Sequence, residues 1–117
     1  MIKRKKGSKM KNVKVIYDGL VFDSKKEGDR YIELKNLEIK GLISDLELQK
    51  AFVLAQSVIL NGRKKPAIRY VADFCYFTNK GEIVVEDVKS SFTKTLPVYR
   101  IKSHLMKSVH NIDITEV

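Results

Sequence analysis

The chain is 117 residues long, 44% hydrophobic, with 23 Lys and Arg against 14 Asp and Glu and a formal charge of +9. That length suits one core and is short for two ordinary domains, and the apolar fraction excludes disorder. The positive excess predicts a polyanionic partner, nucleic acid ahead of a membrane surface, and the single cysteine, Cys75, excludes a disulfide framework or a cysteine-rich zinc site.

Residues 1–12 carry Lys3, Arg4, Lys5, Lys6, Lys9 and Lys11 with little to bury, which predicts a flexible basic arm before one domain over 13–117. Such an arm can neutralise DNA phosphates without reading sequence, or stay merely solvated. No apolar run approaches the roughly 20 residues needed to span a bilayer, and no signal-type apolar region follows the basic start. The expectation is a soluble cytoplasmic protein with no membrane partner.

Residues 13–17 and 20–22 flank Asp18-Gly19 and predict a short hairpin. A helix follows from Ser24 as N-cap to about Lys40, stopped by Gly41, with Tyr31, Leu34 and Leu37 on one face. Glu27, three residues after Ser24, completes the pattern of a capping box. Residues 43–48 read as the first core strand, and 51–55 continue or restart it. Gln49 between them reads as a strand-end residue with the option of a polar site neighbour. Residues 56–66 read as a loop holding Asn61-Gly62 and the basic cluster Arg63, Lys64 and Lys65, which either contacts phosphates or is simply solvated.

Residues 68–78 and 82–89 form the centre of the chain. Both runs are rich in β-branched and aromatic residues, and Asn79-Lys80-Gly81 between them ends in a glycine suited to a hairpin loop. With Thr78 paired to Glu82, opposed residues have numbers with a constant sum, and Asp73 faces Asp87. Strict alternation then puts Val71, Asp73, Cys75 and Phe77 on one face with Ile83, Val85, Asp87 and Lys89. Carboxylates opposed in an apolar surround repel and resist ionisation. A hard divalent cation such as Mg²⁺ or Mn²⁺ relieves that repulsion, since it accepts one or two carboxylates together with water and phosphate oxygens. Lys89 either assists at such a centre or only pairs with the aspartates.

Residues 90–96 read as a polar loop. Pro97 opens a second helix whose expected buried stripe is Val98, Ile101, Leu105 and Val109, with His110-Asn111 closing it. Lys94 and Lys102 either face a substrate or are solvated. Neither His104 nor His110 has a partner at zinc-ligand spacing. Residues 112–117 give a last short strand.

Asp73, a short hairpin and Asp87-Val88-Lys89 resemble the core of the PD-(D/E)XK nuclease superfamily. The wider run, from Val21-Phe22-Asp23-Ser24-Lys25-Lys26-Glu27 through Asp45-Leu46-Glu47-Leu48-Gln49 to Val85-Glu86-Asp87-Val88-Lys89, is similar to a family of small phage and prophage proteins placed in that superfamily. Ala72 stands where the superfamily's name has proline. The resemblance implies a restriction-endonuclease-like α/β fold: a central mixed sheet flanked by helices, in the order α-β-β-β-α-β after the first hairpin. It also implies that Glu27, in the position of a helix glutamate that joins the metal site in many members, is a ligand beside Asp73, Asp87 and the Val88 carbonyl. The capping role stays open beside that one.

The resulting expectation is an Mg²⁺-dependent DNA endonuclease, structure-selective for branched or junction DNA in the manner of a Holliday junction resolvase. It would be phage- or prophage-encoded, act in a bacterial host, and work as a homodimer. Two other readings stay open: a DNA-binding or recruitment module on a nuclease scaffold, and an RNA nuclease.

Overall fold

The computed structural model describes residues 13–117, so the basic arm expected over 1–12 lies outside the described residues. Strands β1 (Val15–Tyr17) and β2 (Leu20–Phe22) form the first hairpin, with Tyr17 paired to Leu20 across the turn. Asp18 and Gly19 have φ of 53° and 76°, the pair of left-handed residues a two-residue turn needs.

Helix α1 (Lys25–Ile39) starts where the Ser24 hydroxyl accepts the Glu27 N–H at 3.1 Å. It ends in a Schellman arrangement: Gly41, at φ 77°, donates to the Glu38 carbonyl and Leu42 to the Leu37 carbonyl. Gly28 lets the first hairpin lie against this helix, since a Cβ there would sit 2.5 Å from Val15 Cγ2 and 2.7 Å from Tyr17 Cε2.

The central sheet has the order β3 (Ile43–Ala55), β6 (Ile68–Thr78), β7 (Ile83–Asp87), β8 (Thr115–Glu116). The first three strands run antiparallel, and β8 joins β7 in parallel, which makes the sheet mixed. A bulge in β3 at Asp45 (φ 57°) frees the Leu46 N–H, which donates to the Glu38 carboxylate at 3.0 Å and ties β3 to α1.

The loop expected over 56–66 is instead another hairpin, β4 (Val58–Leu60) and β5 (Arg63–Lys65), turning at Asn61 and Gly62 with φ of 53° and 77°. It extends the far end of the β3–β6 ribbon. The loop expected over 90–96 contains a short helix, α2 (Ser91–Lys94), capped by the Ser90 hydroxyl. Helix α3 (Pro97–His110) ends at Asn111, left-handed at φ 58°.

Two apolar clusters hold the sheet between the helices. Phe74, Tyr76, Ile43, Leu46 and Leu48 pack with Tyr31 and Leu34 of α1. Tyr70, Ala72, Cys75, Val85 and Leu54 pack with Tyr99 and Met106 of α3. Two expectations are corrected here. The buried stripe of α3 is Tyr99 and Met106 with half-buried Leu105, whereas Val98, Ile101 and Val109 are exposed. Strict alternation also fails: Leu48 and Phe74 belong to the α1 cluster, Phe52 and Tyr70 to the α3 cluster, although all four have even numbers. The ribbon changes the helix it faces at the Gln49–Asp73 step, where Gln49 has φ 54°. A left-handed residue inside a strand turns the pleat there, so Val71 is exposed rather than sharing the buried side of Cys75.

Candidate active site

The β6–β7 register brings the candidate residues together. Phe74 pairs with Glu86, Cys75 with Val85 and Phe77 with Ile83, and Thr78 N–H donates to the Glu82 carbonyl at 2.9 Å across a turn closed by Gly81 (φ 81°). Asp73 therefore comes opposite Asp87, as the turn spacing predicts, and the two carboxyls are close enough to share a hydrogen bond.

Asp87 is 1% exposed. Its Oδ2 accepts the Tyr70 hydroxyl at 2.6 Å and lies 3.2 Å from Lys89 Nζ. Burial, then the neighbouring Asp73, raises its pKa to about 6, against the lowering effects of Tyr70 and Lys89. Asp73 is held from both sides: Gln49 Nε2 donates to Oδ1 at 3.3 Å and the Val88 N–H to Oδ2 at 2.9 Å. Lys89 is fixed over the Tyr99 ring, 5.1 Å from its centroid, and Tyr99 in turn donates to Glu116 at 2.6 Å.

Glu27 enters from the first turn of α1. Its N–H is capped by Ser24, yet its carboxylate makes no hydrogen bond among the described residues, so only half of a capping box is formed. Burial raises its pKa to about 7, followed by repulsion from Asp73, Asp23 and Asp87, which Lys89 partly offsets. The backbone of this residue is the cap, and its carboxylate is left over for the site.

The reverse side of β7 keeps α1 in place. Glu86, 1% exposed, accepts from Arg30 Nε at 2.8 Å and Nη2 at 2.6 Å, and also from the Tyr76 hydroxyl. Arg30 lies one turn beyond Glu27, and Glu86 adjoins Asp87, so this bidentate ion pair fixes the distance from the helix carboxylate to the strand carboxylates.

Five sequence candidates thus converge: Glu27, Asp73, Asp87, Val88 and Lys89. Val88 contributes through its N–H, while its carbonyl, the expected ligand, accepts no hydrogen bond among the described residues. Arg63, Lys64 and Lys65 lie apart, exposed on β5 rather than in a loop. Lys94 is engaged by Glu116 at 3.6 Å, and Lys102 is half-buried on α3. Lys3, Arg4, Lys5 and Lys6 lie outside the described residues. Sequence reasoning missed Tyr70, Tyr99 and the Arg30–Glu86 pair, and left Gln49 as a strand end. One signal was available: a glutamate beside the site aspartate in an apolar strand requires a cationic partner.

Among the described residues no group of three or more His, Cys, Asp or Glu stands ready to hold a metal ion. The residues nevertheless fit a hard cation. Three carboxylates, two of them with pKa raised by burial and mutual repulsion, face one ammonium, and a carboxylate pair completed by water and phosphate is a donor set Mg²⁺ accepts.

Fold and site together define an α/β domain with a mixed sheet that carries a buried carboxylate pair. The chain belongs to the family described as "Protein of unknown function (DUF1064)", which matches residues 7–115. Neither the curated proteins nor the solved structures compared with the chain gave a match. No helix among the described residues is long and apolar enough to cross a membrane.

Proposed function

We propose that this protein is a metal-dependent DNA endonuclease of the PD-(D/E)XK type on a restriction-endonuclease-like core. The observation that carries the reading is the pairing of Asp73 with Asp87 beside Lys89, in the register set by the 78–82 turn. Asp73 and Asp87 would hold Mg²⁺ or Mn²⁺, with Glu27 alongside. The cation's contribution is to acidify water and offset charge on the scissile phosphate.

The protein's own groups do the rest. Gln49 and the Val88 amide fix Asp73, and Tyr70 fixes Asp87. Lys89, held by Asp87 and the Tyr99 ring, donates to a phosphate oxygen as its charge grows. The +9 net charge supports a nucleic-acid substrate. Selectivity for branched or junction DNA, action as a homodimer, and a cytoplasmic phage or prophage setting extend the same proposal. A recruitment module that binds DNA without cutting is the second reading, favoured by the Lys89–Asp87 ion pair, which neutralises half of the carboxylate pair unaided.

The test is Mg²⁺- or Mn²⁺-dependent cleavage of labelled linear duplex, single strand, flap and four-way junction, comparing wild type with Asp87→Ala. Metal-dependent cutting that disappears in the variant supports the nuclease. Binding with no cutting of any substrate overturns it in favour of the recruitment module.

A further inference from the structure

The β4–β5 hairpin projects beyond the sheet with all six strand residues exposed, Ile59 at 70% and both Val58 and Leu60 at 54%. An isolated two-stranded ribbon is marginal in water, and an uncovered apolar row on one calls for an occupant. The register defines the surface. Val58 pairs with Lys65 and Leu60 with Arg63, so one face carries two aliphatic and two basic side chains, while Ile59 and Lys64 share the other.

Charge identifies the occupant. From Leu48 to Ala72 there is no acidic residue, while Lys50, Arg63, Lys64, Lys65 and Arg69 are present. Among the described residues, Arg63, Lys64, Lys65 and Arg69 meet no carboxylate. A second copy of this surface would bring like charges together, whereas a polyanion with apolar edges complements it.

We propose that the β4–β5 hairpin is a DNA-gripping arm that lies in the major groove of duplex DNA flanking the cleavage point. Arg63 and Lys65 contact phosphates, and Val58 and Leu60 pack on sugars and base edges. This deepens the nuclease reading and rests on it for the identity of the substrate. A two-stranded ribbon is of a size that the roughly 12 Å major groove of B-DNA admits. Double-stranded RNA, whose major groove is deep and narrow, excludes it. Lys65 precedes Asp73 by eight residues, so at about 3.3 Å per residue the arm reaches no more than roughly 26 Å from the site. That is about eight base pairs at 3.4 Å each.

The experiment is fluorescence anisotropy in EDTA, so that binding is read without cleavage, on duplex DNA, single-stranded DNA and duplex RNA over a salt series. Every residue changed is exposed, and circular dichroism confirms the fold of each variant. The triple variant Arg63→Gln, Lys64→Gln, Lys65→Gln should bind duplex DNA about tenfold more weakly and flatten the log–log salt slope by up to about 2.7, or 0.9 per lost contact. Val58→Ser with Leu60→Ser should weaken duplex binding and leave the slope unchanged. Unaltered binding and slope in the triple variant, equal wild-type affinity for duplex RNA, or variants that change only the oligomeric state each overturn the arm. Cleavage of the same duplex in Mg²⁺ is scored separately: cutting with no arm effect sinks the arm alone, and an arm effect with no cutting sinks the nuclease alone.

Discussion

Replacing Asp87 with asparagine should stabilise the metal-free fold while abolishing cleavage. Asp87 is held at about 6 in the folded protein against 3.8 ordinarily. Its raised pKa means the native state binds the proton more tightly than the unfolded chain does. The stability this lends is complete below about pH 4 and is lost as pH rises through about 6. At about 1.4 kcal/mol per pH unit, the ionised carboxylate costs the fold on the order of 3 kcal/mol at pH 8. Asparagine keeps an acceptor for the Tyr70 hydroxyl and forfeits the pairing with Lys89. The net gain is therefore on the order of 1–2 kcal/mol, or roughly 5–10 °C in Tm for a domain of this size. Thermal melts in EDTA at pH 8 and pH 4 measure it, with the gain present at pH 8 and absent at pH 4. An asparagine variant less stable than wild type by the same amount at both values would refute the argument, because it would mean that Lys89 and Tyr70 already compensate the buried charge in full.

Glu27→Gln removes a carboxylate that takes up a proton at about 7, and leaves the Ser24 cap intact. In the wild type, Mg²⁺ affinity measured by calorimetry should rise between pH 6 and 8 as that proton leaves, and the variant should lose most of this rise with little change in Tm. Gly28→Ala places a methyl against Val15 and Tyr17 and should destabilise by about 1–2 kcal/mol despite alanine's better helix propensity. Its mark is faster amide exchange across residues 15–22.

The site was legible in the sequence because a short turn with glycine at its end fixes register, and register alone decides which carboxylates meet. The α1 boundaries were legible for a similar reason, since Ser24 and Gly41 are local chemistry. The buried face of α3 was not, because the helix carries two apolar rows and periodicity weighs them equally. The sheet accepts Tyr99 and Met106 because their neighbours, Cys75, Val85 and the Lys89 ammonium, suit an aromatic ring and a flexible thioether. The second hairpin was signalled by Asn61-Gly62, but its basic residues and lack of burial resemble those of a loop. Nothing in the residue type of Gln49 marks a left-handed strand position, so the change of face at Asp73 was invisible.

That change of face divides the ribbon into parts with different freedom to vary. On the near side, Leu48, Phe74 and Glu86 are locked to α1, and a single inserted residue would rotate Asp73 away from Asp87. On the far side, beyond Val53 and Arg69, the strands lead only to the exposed hairpin. Adding two residues to each strand there would preserve every inward and outward position and lengthen the ribbon by about 7 Å. The protein's reach is thus a separately adjustable dimension, and relatives could differ in span while keeping the same carboxylate pair.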